Sequence, residues 1–303
     1  MKLYNFLGIR NADFVNIYLE NRDVKVFIDP FKLVTRNTDL SYAAALRIQN
    51  YFDNLVTNLS DRTLLRNNIG DINEINETKI GYSLGGYGRG VGNQLKEILV
   101  HQLNSSDAFV NGLVTQIQDI NLFIRNISND RMSDWLTNII VDLLIDFTNQ
   151  QMSAFGSLVG TTTRQYSYWC PETNRWNNRT FSIPLINGIP VILVPKEFVS
   201  PERLSLKGLS DFVNMGLLTI IKRDFVAYGL SSLSHVDSDG TYSEPTKSDI
   251  VNFHHAQGMS VYQYSTVVWF STHYPQLIID AKNEYHRVRL TSITSRSYII
   301  DIL

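Results

Sequence analysis

Phe181-Ser-Ile-Pro-Leu-Ile-Asn187-Gly188-Ile-Pro-Val-Ile-Leu-Val194 sets an Asn-Gly pair between two apolar runs rich in β-branched residues. Asn-Gly accepts the left-handed backbone of a two-residue turn, so this spacing predicts a β-hairpin. Upstream, Tyr166-Ser-Tyr-Trp169 leads into Pro171-Glu-Thr-Asn174, a composition that turns the chain. Residues 157–164 are rich in Gly, Ser and Thr and read as a linker or loop.

Before that break the apolar residues follow a helical period. Trp135, Leu136, Ile139, Ile140, Leu143, Leu144 and Phe147 predict one helix over 133–150, with Ser133 as N-cap and Asp134 in the first turn. Asp134, Asn138, Asp142 and Asp146, with Asp130 upstream, form its polar stripe, expected as a solvated face. Asn37-Thr-Asp-Leu40 starts another helix, whose apolar set at steps of three and four is Ala43, Ala44, Ala45, Ile48, Tyr51, Phe52 and Leu55. Asp23-Val-Lys-Val-Phe-Ile-Asp29 reads as a strand, stopped by Pro30. After the hairpin, a helix is expected near 201–228. Val261–Phe270 suits a strand or a helix, and 297–303 a strand or docked tail.

The expected fold is therefore α+β (mixed α/β). A mainly helical region, 1–156, carries an N-terminal strand and a Gly-rich loop. A mixed region, 165–303, is led by the hairpin, and the two are separate units or one continuous domain.

Apolar residues make up 44% of the 303 and charged residues 18%, enough for a core and too few charges for a disordered chain. The net charge of −2 lacks the strong basic excess of many nucleic-acid binders but leaves room for a local basic patch. Cys170 is the one cysteine, which excludes an intrachain disulfide and a thiolate zinc cage. It reads as a small packed residue. The lack of disulfides favours a reducing compartment. No apolar stretch approaches the roughly 20 residues that cross a bilayer. The N-terminus has no apolar signal core. A cytoplasmic location with no membrane partner is expected.

Six glycines fall within Gly81-Tyr-Ser-Leu-Gly-Gly-Tyr-Gly-Arg-Gly-Val-Gly92. Backbone N–H groups in such a loop can approach phosphate, and an arginine adds a charged fork. Gly86, Gly88, Arg89 and Gly90 are the phosphate-binding candidates. Neither nucleotide fingerprint is met: Val91 stands where a P-loop needs Lys and a dinucleotide loop needs Gly. Metal-dependent nucleases often set an acid beside an acid-x-Lys triplet. Asp13, with Asp23-Val-Lys25 and Asp29, fits that pattern, as does Asp71 with Glu77-Thr-Lys79. Asp13, Asp23 and Asp29 are the metal candidates, for Mg2+ or Mn2+, and Asp23 and Lys25 the catalytic ones. His235-Val-Asp-Ser-Asp239 and His254-His255 read as polar surface and structural histidines. Tyr166, Tyr168, Trp169 and Trp176 are suited either to stacking bases or to packing a hairpin on a core.

Phe27-Ile-Asp-Pro30, Asn129-Asp-Arg-Met-Ser-Asp-Trp-Leu-Thr-Asn-Ile-Ile140 and Gly188-Ile-Pro-Val-Ile-Leu-Val-Pro-Lys196 together cover under a tenth of the chain. In these pieces it resembles an uncharacterised group of bacterial proteins met among mobile or defence-associated genes. The resemblance implies a bacterial accessory or anti-phage role and carries no catalytic residue with it. The function expected is action on, or binding of, nucleic acid by a metal-dependent nuclease. The alternatives are a non-enzymatic subunit of a multi-protein defence complex and a nucleotide sensor.

Overall fold

A computed structural model describes residues 1–20, 22–34, 38–82, 93–105, 107–110, 113–124, 127–156, 158–201, 208–236 and 238–295. The fold is α+β, helix-rich with small antiparallel sheets. Strand β1 (Val26–Ile28) pairs antiparallel with the distant β5 (Val199–Pro201), Ile28 opposite Val199. This ties the first half of the chain to the second. A continuous core runs from Leu3 to Tyr285.

The helix Asp39–Thr57 forms as its spacing predicts. Thr38 and Ser41 exchange cap hydrogen bonds at its start, and Ala44, Ile48, Tyr51, Phe52 and Leu55 are buried. The helix expected over 133–150 is two helices, Asn129–Ile139 and Val141–Met152. Ile140 leaves the helical region at φ −116°, ψ 15°. Ile139, Ile140 and Val141 are consecutive β-branched residues, which crowd a helical turn. The first helix starts earlier than expected because Ser128, not Ser133, caps it through the Arg131 N–H. Ser133 is buried instead, and its hydroxyl accepts the Ile28 N–H at 3.0 Å, joining helix to β1.

The largest strand feature lies where a linker was expected. Strand β2 (Val159–Cys170) pairs along its whole length with β3 (Arg175–Ile186). Thr161, Thr162 and Thr163 are β-branched, and their fit to a pleated ribbon outweighs their loop-like polarity. The predicted Asn187-Gly188 turn is present, with both residues at positive φ, but it leads only to the short β4 (Ile189–Pro190).

At the ribbon's far end Trp169 and Trp176 pack edge-on against Tyr51, with centroids 5.0 and 5.7 Å away. Trp176 Nε1 donates to the Asn68 carbonyl at 2.8 Å, and its ring lies over Gly70. A Cβ at Gly70 would come within 2.6 Å of that ring, and φ is +70°, so this position needs glycine. Cys170 is buried, as expected of a packed residue.

The C-terminal part is helical. Val261–Phe270 falls largely in the helix Tyr264–His273, not in a strand. Two helical pieces, Leu209–Phe212 and Leu218–Arg223, flank a wider turn at Val213–Leu217 in the region expected as one helix. Gly216 there sits against the Ala281 carbonyl of the last helix, Pro275–Ser295. Among the described residues, no helix is long and apolar enough to cross a membrane. Residues 297–303 lie outside the described residues.

Candidate functional site

The three carboxylates expected to share a metal lie in three different surroundings. Asp13 is exposed at the rim of a cleft, where its backbone carbonyl accepts the Lys196 N–H. Asp29 is buried. It caps a short helix through the Phe31 N–H at 3.0 Å and pairs with Arg289 Nη2 at 3.3 Å. Burial pushes its carboxyl pKa up, and Arg289 opposes the shift. Asp23 is half-buried, and Lys25 beside it is exposed.

A joint metal site of Asp13, Asp23 and Asp29 is thus not formed. All three residues of β1 are buried, so the acid ending it lies inside the protein while those before it stay near the surface. Among the described residues, no three His, Cys, Asp or Glu side chains are placed to hold a metal ion. Gly86, Gly88, Arg89 and Gly90 lie outside the described residues. In the second acid-x-Lys pattern, Asp71 pairs with Lys96 at 3.0 Å and Lys79 is buried. His235 pairs with Asp249 at 2.9 Å.

Asp23 does join a carboxylate cluster, with different members. Asp23 and Asp130 act on Glu74, and all three act on Asp134. Burial first, then Asp130, Glu74 and Asp23, push the Asp134 carboxyl up to about 8. Glu74 is raised by burial and then by Asp23 and Asp130. Asp130 is raised by burial, with Arg131 opposing. A Cβ at Gly81 would meet Asp130 Oδ1 at 3.1 Å and Asp23 Oδ2 at 3.7 Å, so both carboxylates converge over that glycine. Such a group can keep a proton near neutral pH or be relieved by a cation.

The stripe expected as one solvated face is divided. Asp134 enters the cluster, Asn138 is buried and bonds Asn73, Asp142 pairs with Arg47, and Asp146 lines the cleft.

The ribbon carries a basic and aromatic face. Opposite residues in an antiparallel pair share a face, and the period is two. Register pairs Arg164 with Phe181, Tyr166 with Arg179, Tyr168 with Asn177 and Cys170 with Arg175. Arg164, Arg175 and Arg179 therefore share one face with Tyr166, Tyr168 and Phe181. The other face holds Thr163, Gln165, Ser167, Asn178, Thr180 and Ser182, with no charge. All three arginines are exposed, and among the described residues none pairs with a carboxylate. The Arg179 guanidinium stands 5.0 Å over the Phe181 ring, and Tyr168 packs 6.0 Å from the same ring. Trp169 and Trp176, by contrast, are committed to the core.

One segment, 68–81, touches both features. It receives Trp176 at Asn68 and Gly70, it carries Glu74 in the cluster, and the Glu77 carboxylate lies near Tyr166 on the ribbon. Sequence reasoning missed Glu74 and the three arginines as functional candidates. The alternation Arg164-x-Tyr166-x-Tyr168 and Arg175-x-x-x-Arg179 was the available signal, hidden by reading 157–164 as a loop.

A family model described as a domain of unknown function, DUF8370, matches residues 7–206 and so contains the ribbon, the carboxylate cluster and the cleft. No curated protein and no solved structure matches the chain.

Proposed function

For this chain, which belongs to the DUF8370 family, we propose that it binds single-stranded nucleic acid along the basic face of the β2–β3 ribbon. The observation that carries the reading is the alignment of Arg164, Arg175 and Arg179 with Tyr166 and Tyr168 on one face. Guanidinium groups bind phosphate oxygens as charged forks, and aromatic rings between them give bases a stacking surface. Three arginines without acidic partners make a local positive field on a chain whose overall charge is −2. Single strands suit the site because their bases are free to leave the stack.

Fluorescence anisotropy with a labelled oligonucleotide tests this. Arg164→Ala with Arg179→Ala should weaken binding at least about tenfold, since each lost charged hydrogen bond is worth on the order of 1.5–3 kcal/mol. Tyr168→Ala should cost roughly 1–3 kcal/mol of binding. Unchanged affinity in the double arginine variant would remove the ribbon as the binding surface. An unchanged far-UV spectrum would show that the exposed substitutions leave the fold intact.

Hydrolysis is the second reading, favoured by the contact of segment 68–81 with both ribbon and carboxylate cluster. In it Asp23 and Asp130, which converge over Gly81, hold Mg2+ or Mn2+ together with phosphate oxygens of the bound strand, and the cation supplies Lewis-acid stabilisation of the phosphate. Asp23→Asn with Asp130→Asn should then abolish cleavage while oligonucleotide binding persists. Absence of cleavage of DNA and RNA by the native chain with either metal would reject hydrolysis and leave binding standing. A role in phage defence rests on the sequence resemblance and accords with either reading.

A further inference from the structure

A cleft of about 720 Å³ opens on a part of the family domain that neither the ribbon nor the carboxylate cluster uses. Four stretches far apart in sequence build it: Asn11–Asp13, Thr38–Leu40, the 141–152 helix and Pro195–Glu197. Its volume is in the range of small-molecule sites. The apolar lining consists of Ala12, Leu40, Leu143, Phe147 and Pro195, of which all but Pro195 are only half-buried.

Charge on the lining is strongly one-sided. Asp13, Asp39 and Asp146 are exposed, and among the described residues their side chains have no ion-pair or hydrogen-bond partner. They come from three different stretches, so no single helix face groups them. Glu197, the fourth acid, accepts the Thr38 hydroxyl. Lys196, the one basic residue of the lining, donates to Asn11 Oδ1 at 2.6 Å and lies 5.6 Å from the Tyr4 ring centroid.

An occupant that satisfies this lining carries several positive charges separated by apolar carbon. A simple metal ion leaves the apolar lining wet, and a neutral apolar molecule leaves the carboxylates without partners. We propose that the cleft is a binding site for a small linear polyamine. Its ammonium groups meet Asp13, Asp39 and Asp146, and its methylene segments cover Leu40, Leu143 and Phe147. The proposal is independent of the ribbon reading, because no residue is shared.

Isothermal titration of the full chain with spermidine, putrescine and 1,8-octanediol tests it. The expected result is one spermidine per chain, weaker binding of the shorter putrescine, and no heat from the uncharged diol. Asp13→Asn, Asp39→Asn and Asp146→Asn together should weaken spermidine at least tenfold. All three are exposed, so the variant should keep its melting temperature within a few degrees. Asp134→Asn should leave spermidine binding unchanged. No binding of spermidine overturns the proposal, as does equal binding by the triple variant. Loss of binding in Asp134→Asn alone would place the amine at the carboxylate cluster instead. A lysine-rich peptide that binds where spermidine does not would convert the cleft to a peptide dock and overturn the polyamine assignment.

Discussion

Asp119→Ala is expected to lower the stability of the chain by roughly 3–5 kcal/mol in urea denaturation, the range for breaking a buried ion pair by removing one partner. The Asp119 side chain is fully buried. One oxygen accepts the Thr115 N–H at 2.9 Å, the Gln116 N–H at 3.1 Å and the Lys282 ammonium at 3.2 Å. The other faces His286 Nε2 at 3.0 Å. Deleting the carboxylate leaves the buried Lys282 ammonium bonded only to the Leu113 carbonyl and the Thr115 hydroxyl. Two backbone N–H groups lose their acceptor as well.

The loss should reach the whole fold. Lys282, His286 and Arg289 occupy one face of the last helix at steps of four and three residues. Their partners Asp119 and Asp29 lie in the family domain, while the helix lies beyond residue 206. Burial alone would raise the Asp119 pKa. The adjacent His286 ring and the charge of Lys282 outweigh it, and the carboxyl is held below its ordinary value. Its stabilisation is therefore present above the ordinary pKa of 3.8 and is lost as pH falls through the lower folded value. Lys282→Met added to Asp119→Ala should recover part of the loss, because no unpaired ammonium then remains. A cost below about 1 kcal/mol for Asp119→Ala would mean that the last helix is held by apolar packing alone.

The second large effect depends on pH. Between about 4 and about 8 the native chain should lose stability as pH rises, and Asp134→Asn should flatten that slope. Burial, then Asp130, Glu74 and Asp23, hold the Asp134 carboxyl protonated in the fold up to about 8. The unfolded chain releases this proton near 3.8. The folded state thus binds more protons across the interval, and linkage makes stability fall with rising pH. The gap between 3.8 and about 8 sets an upper bound of roughly 6 kcal/mol. Asp29 is also raised by burial but is present in both proteins, so the difference isolates Asp134. Melting temperatures of both at pH 5 and pH 8 provide the check. The variant should gain on the native chain at pH 8, and parallel slopes would contradict the cluster.

Local pattern made some of this legible in the sequence. The 39–57 helix and the Asn187-Gly188 turn follow from spacing and turn chemistry that act within a few residues. Strand β2 did not, because Gly160 and Thr161–Thr163 are polar enough to pass for a loop, and only pairing with β3 commits them. The last helix carries Lys282, His286 and Arg289 in a stripe that resembles a solvated face. Its burial depends on partners up to 260 residues away.

The candidate site divides in the same way. Asp23 was visible as part of an acid-x-Lys triplet. Its actual neighbours Glu74, Asp130 and Asp134 come from segments no local motif connects. The arginines became a face only once the register was known. Asp29 was misplaced because a short strand buried on both sides carries its final acid into the interior, where Arg289 receives it.

The proposed binding of nucleic acid by the ribbon is tested most directly by the salt dependence of oligonucleotide affinity. Each phosphate neutralised on a single strand contributes a slope of about −0.7 in log K against log salt concentration. Three arginines then predict a slope near −2 for the native chain, and a slope close to zero once Arg164, Arg175 and Arg179 are all changed to Ala. Binding of the native strength and slope in that triple variant would contradict the account.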